Sequence, residues 1–170
     1  RGKNCWMMGA RGRNDTAVKR KEWERDENFA WRVFDRAPYG VLALADGEGM
    51  PYCVAVSPAR EGKTVYFHCA RSGMKMELLE QNPRVAMTAV SHYQRVQPKY
   101  TMSYASAVLR GRAAVVTDEA EKTLALRRIS ERYAPEAMEQ FETMLERFAK
   151  AAQVIRIDVE EITGKEACNG

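Results

Sequence analysis

The stretch from Tyr39 to Ala70 holds three short apolar runs separated only by turn signals, and this spacing constrains the fold more than any other feature. Tyr39-Gly40-Val41-Leu42-Ala43-Leu44-Ala45 is too brief for a helix and is followed by Asp46-Gly47-Glu48-Gly49, a turn. Pro51-Tyr52-Cys53-Val54-Ala55-Val56-Ser57-Pro58 is a second extended run, and Arg60-Glu61-Gly62-Lys63 reverses the chain again. Thr64-Val65-Tyr66-Phe67-His68-Cys69-Ala70 is a third, rich in β-branched and aromatic residues. Parallel neighbours need a long crossover, so strands joined this closely form an antiparallel meander.

The rest of the chain fits around that meander. Ala30, Val33, Phe34 and Ala37 fall on one helical face, predicting a helix over 26–37 that Pro38 ends. A short helix over 72–82 is predicted with Ser72 as its N-cap and Asn82-Pro83 as its stop. Residues 84–91 form a fourth strand, 92–103 a long loop, and 106–116 a fifth strand with Gly111 as a bulge or bend. Two helices follow, over 118–134 and 135–152. Residues 154–159 alternate with period two as a sixth strand. Strands and helices do not alternate, which argues against a doubly wound parallel sheet. The expected fold is mainly β with peripheral helices (α+β), a small six-stranded antiparallel barrel whose closure hides the sheet edges.

At 170 residues the chain has room for one domain with an arm. Residues 1–25 carry eight basic and three acidic side chains, residues 26–170 nineteen and twenty. The basic pI therefore belongs to a flexible arm over 1–25, with a single near-neutral domain over 26–170. Met7 and Met8 leave the native status of the first residues open. A nucleic-acid partner is disfavoured, because its basic residues belong on the folded body. No apolar run reaches membrane-spanning length, and no signal-peptide stretch follows the start, so a cytoplasmic protein without a membrane partner is expected. The cysteines Cys5, Cys53, Cys69 and Cys168 lack a C-x-x-C spacing, and only His68 and His92 could join them, so no metal site is expected. Cys53 and Cys69 are read as small buried hydrophobes.

Chemistry concentrates at Arg71-Ser72-Gly73-Met74-Lys75, where a strand hands over to a helix. Unpaired backbone N–H groups, the helix dipole and two cations make a phosphate cradle, although the same pattern also serves as an ordinary helix start. His68 reads as a structural strand histidine, an anion donor or a proton shuttle. The small residues of Cys53–Ser57 could let a flat ring lie against the backbone, or could simply pack in a sheet.

Taken together, Tyr66 to Val85 resemble the flavin-phosphate segment of the pyridoxamine 5′-phosphate oxidase-like FMN-binding split barrels, and the histidine in this run resembles the nitroimidazole-resistance (Nim-type) branch. Ala37–Leu44, Pro51–Ser57, Tyr104–Ala113 and Val159–Lys165 extend the likeness in order over roughly residues 20–166. The resemblance implies a split β-barrel homodimer with FMN at the subunit interface. It implies phosphate contacts from Arg71, Ser72 and Lys75. It implies ring contacts from Cys53, Val54, Ala55, Val56 and Ser57 and from Phe67, His68, Cys69 and Ala70, with Ser106 reaching the flavin of either chain. Gly73 and Met74 stand where the oxidase has consecutive Arg and Lys, and Glu166 to Gly170 do not match its substrate-binding basic residues. True pyridoxamine-phosphate oxidation is therefore not expected.

The expected function is an FMN-dependent oxidoreductase that passes electrons from a nicotinamide to a small acceptor such as a nitroaromatic, with His68 as proton donor or anion contact. The alternative is a non-catalytic flavin, deazaflavin or haem binder or sensor of the same fold.

Overall fold

A computed structural model of the chain describes residues 20–97 and 100–167. The arm up to residue 19, Cys5 and Cys168 lie outside the described residues. Asp26 opens α1 (Glu27–Arg36) by accepting the Phe29 backbone N–H at 2.7 Å, as an N-cap does. Its apolar stripe, Ala30, Trp31, Val33 and Phe34, is buried.

The strands are β1 (Glu24–Arg25), β2 (Gly40–Ala45), β3 (Pro51–Val56), β4 (Ala59–Glu61), β5 (Thr64–Ala70), β6 (Arg84–Val96), β7 (Thr101–Val115) and β8 (Ala152–Ala167). They form one antiparallel sheet in the order β3-β2-β6-β7-β8-β5-β4, with β1 on β8. The inner face curls around a single core. Leu42, Phe67, Met87, Leu109, Ile155 and Ile157 all lie within it, each about 1% exposed or less. Such side chains contribute roughly 1.5–3 kcal/mol each by burial, which is what holds the sheet curled. The end strands β3 and β4 do not pair with each other, so the barrel is split rather than closed.

The six expected strands are present, and two short ones join them. β4 forms where a turn was expected. Of the expected arm, Glu24 and Arg25 lie on β8, and Arg25 pairs with Glu166 at 3.0 Å. The expected loop over 92–103 is instead the outer half of a β6–β7 hairpin. There the hairpin runs past the core, and Tyr93, Gln94 and Arg95 are exposed. With no face to bury, the sequence lost the alternation that marks a strand. β8 is likewise far longer than 154–159, because its outer half is fixed by β7 and β1 rather than by its own pattern.

Helices cover the outer face only in part. α3 (Glu119–Tyr133) and α4 (Phe141–Ala151) are joined by a 3-10 segment, Pro135–Gln140. They pack Ala125, Ile129 and Phe141 over Tyr66 and Val154. The Tyr66 hydroxyl donates to Glu121, and burial together with that carboxylate pushes its pKa up to about 12. Arg132 of α3 donates to the carbonyls of Phe34 and Ala37 at 2.6 and 2.7 Å, satisfying the C-terminal end of α1. Among the described residues no helix packs on the outer face of β3, β2, β6 and β7. Ala55, Val41, Thr88 and Val108 lie there in one cross-strand row that reaches Thr163.

Gly111 sits at a register shift between β7 and β8, the bend its place in the strand predicts. A Cβ added there would lie 2.2 Å from the Asp158 carbonyl oxygen, and backbone cannot give way as a side-chain tip can. Gly111→Ala should therefore cost more than about 2 kcal/mol, read as a lower midpoint in urea unfolding.

Candidate functional site

The corner where β5 ends is built by a single unusual backbone step. Gly73 has φ +117 and ψ 175, a conformation side-chain-bearing residues rarely adopt, and a Cβ there would point into open space. The glycine is required by the turn rather than by crowding. It occupies the N-cap position of α2 (Met74–Gln81) without a side-chain cap. Ser72 therefore does not cap the helix as the sequence suggested; it is exposed one residue earlier. The Met76 and Glu77 amides bond the Gly73 carbonyl, while the Met74 and Lys75 N–H groups ahead of them have no helical carbonyl to meet. Arg71 is exposed and Lys75 half-buried, and neither makes an ion pair among the described residues. Two free cations beside unsatisfied N–H groups suit a phosphate dianion.

Along β5 the side chains alternate. Phe67 and Cys69 face inward, whereas His68 and Ala70 face outward. Phe67 is fully buried in the core, so only its backbone is open to the ring contact that the resemblance implies. Cys69 is half-buried against Met76, and burial pushes its thiol pKa up, with Lys75 opposing. Cys69 is thus a protonated packing residue, as the sequence suggested, whereas Cys53 is exposed and not the buried hydrophobe expected. It lies on an edge strand whose outer face it shares with Ala55 and Ser57. Val54 and Val56 point the other way and pack against the core. Ser106 lies half-buried on β7, opposite Val90 and Lys165.

Val54, Val56, Phe67 and Cys69 thus face the core, and the other expected residues fall into two groups. His68, Ala70, Arg71, Ser72 and Lys75 gather at one corner. Cys53, Ala55 and Ser57 lie on the outer face of the edge strand β3, at the far end of the strand order from β5, and Ser106 lies on the outer face of the central strand β7.

Sequence reasoning missed what stands over His68. A cavity of about 360 Å³ lies between the outer face of β5 and the helices, lined by His68, Ile129, Ser130, Tyr133, Phe141 and Met144 among others. The apolar faces of α3 and α4 were a signal for it, but helix periodicity does not tell a filled seam from an open one. His68 has no hydrogen-bond partner among the described residues. Burial of its ring against the apolar wall pushes the imidazole pKa below the ordinary 6.5.

That shift has a sign. The fold disfavours the charged ring, so its contribution to stability is complete above about pH 6.5 and is lost as pH falls toward the lowered midpoint. An NMR titration should place His68 below 6.5, and His68→Phe should flatten the fall in stability across that window.

Comparison with known proteins agrees with this architecture. A family model described as pyridoxamine 5′-phosphate oxidase matches residues 26–166. A candidate 5-nitroimidazole antibiotic resistance protein from Bacteroides thetaiotaomicron is similar at 25% identity and TM-score 0.68, over 84% of each chain. The flavocytochrome Anf3 from Azotobacter vinelandii shares the fold at 23% identity and TM-score 0.72, over 92% of this chain and 75% of its own. The FAD and heme binding protein from Mycobacterium smegmatis shares it at 18% identity and TM-score 0.71, over 85% and 72%. No curated protein matches the chain.

Proposed function

Because the chain belongs to the pyridoxamine 5′-phosphate oxidase family, matching its model over residues 26–166, we propose that it binds a flavin, specifically FMN, and acts as an oxidoreductase. The observation that carries the reading is the Gly73 corner. It offers a glycine-dependent turn, unsatisfied first-turn N–H groups and the free cations Arg71 and Lys75. Ser72 adds a hydroxyl donor beside them. The residues fit a terminal phosphate, which is the group FMN presents.

The flavin, when bound, supplies hydride and electron transfer between a nicotinamide and a small acceptor. The chain's own residues hold and orient it. Lys75 and Arg71 neutralise the phosphate, and the α2 N–H groups fix its direction. Cys53, Ala55 and Ser57 present small outward side chains that would leave room for the flavin ring, with Ser106 on the same sheet face. His68, neutral near pH 7 because its pKa is lowered, presents a ring nitrogen that can hold a proton beside the acceptor. The nitroimidazole-resistance likeness favours a nitroaromatic as that acceptor.

The phosphate corner lies on β5 and α2 and the ring face on β3, β2, β6 and β7, and in this reading a second copy of the chain completes the site. The row Ala55, Val41, Thr88 and Val108 is small, apolar or β-branched and bare of helix, the kind of surface a homodimer buries. A homodimer with two interface flavins joins both halves of the site.

The purified protein should be yellow and should bleach when a nicotinamide is added. A colourless protein that ignores added FMN, or one with a Soret band alone, would overturn the reading. Lys75→Ala should weaken FMN binding about tenfold or more with the fold intact, the cost of one charge-assisted contact. Val108→Arg should convert the dimer to a monomer in light scattering.

A further inference from the structure

We propose that the cavity between β5, α3 and α4 is a binding site for a neutral, flat aromatic molecule about two fused rings in size. It goes beyond the flavin reading, because its walls come from the helices and share only His68 with the residues assigned to the cofactor.

Size comes first. The cavity is about 360 Å³. An apolar cavity of roughly 150 Å³ in another protein stays dry and binds benzene. More than twice that volume suits a naphthalene frame with a substituent. The pocket opens to solvent past the exposed Ala134 and Ala137, but its lining gives water few of the two to four polar partners that each ordered molecule needs. The Tyr133 hydroxyl is already spent on the Pro58 carbonyl at 3.0 Å, leaving Ser130 and His68.

Collapse is resisted by tethers outside the cavity. Arg132 and Tyr133 bind α3 to α1 and to Pro58. Lys122 is buried and donates to the Ala149 carbonyl, and Arg127 pairs with Glu142 while lying 4.5 Å over the Phe141 ring. These contacts fix α4 at both ends while Ala134, Ala137 and Ala152 leave the middle unfilled.

Chemistry then selects the ligand. Among the described residues no Asp, Glu, Lys or Arg lines the cavity, so a charged ligand would lose its hydration without a counter-ion. Phe141, Tyr133 and the His68 ring give flat walls, and the Met144 thioether suits an aromatic edge. His68 has no other partner among the described residues, so a ligand carbonyl or nitro oxygen facing it would accept its N–H.

The test uses prodan, a neutral naphthyl ketone whose emission shifts to the blue in apolar surroundings. The full-length protein should bind it with a micromolar dissociation constant and a blue shift, with or without added FMN. 2-Naphthoate should bind at least tenfold more weakly. Ala137→Trp and Met144→Trp fill the cavity from an exposed and a half-buried position, and each should weaken prodan at least tenfold. Methyl NMR of the unmutated protein supplies a reading that needs no variant: the Met144 resonance should move on titration while that of exposed Met50 does not. Aqueous prodan emission, equal affinity for naphthoate, unchanged affinity in folded filled variants, or an unmoved Met144 methyl would each overturn the proposal. Loss of FMN binding in Lys75→Ala with prodan binding intact keeps the two readings separate.

Discussion

A single sheet that wraps around its own inner face settles most of what this protein can do. Once Leu42, Phe67, Met87 and Ile155 have filled the interior, no ligand can enter the barrel. Every chemically useful side chain must then stand on the outer face or at a strand end. That face is divided. α3 and α4 cover the β5–β8 portion, α1 packs on the inner side of the sheet against Ala105, Ala107 and the core, and no helix among the described residues packs on the outer face of β3, β2, β6 and β7. The corner at Gly73 lies at a strand end, and the bare face is the one whose outward residues are small. The proposed cofactor site and the proposed dimer surface are two consequences of the same wrapping.

Much of this was legible in the residues. β2, β3 and β5 stood out because short apolar runs broken by Gly-rich turns admit little besides a meander. α1 was legible from its apolar stripe and from Asp26. The Gly111 bend was legible because a glycine inside a strand pattern has few other uses. What escaped was structure fixed by partners far along the chain. The β6–β7 hairpin beyond His92 is largely exposed on both faces, so no periodicity marks it. The C-terminal half of β8 carries Glu160, Glu161, Lys165 and Glu166 and is a strand only because β7 and β1 flank it.

The site divides along the same line. Arg71, Gly73 and Lys75 were legible because a helix start is a local event written within a few residues. Phe67 stands in the same run, yet alternation along β5 turns its side chain into the core while His68 faces out, a difference that the run of residues by itself does not show. Ser72 was misplaced as a cap because the positive φ of the next residue takes over the turn. The helical wall above His68 was out of reach, since α3 lies far from β5 in sequence and local pattern carries no record of which surfaces meet.

The position of β8 has a consequence for how the molecule comes into being. It is hydrogen-bonded between β7 and β5 in mid-sheet, yet it is the latest strand in sequence among the described residues. On the ribosome, the two half-sheets on either side of it must wait, unjoined and with apolar inner faces open, until residues 152–167 emerge. Assembly is therefore gated by a late, long-range event, and a nascent chain stalled before it would be an aggregation hazard rather than a partly finished barrel.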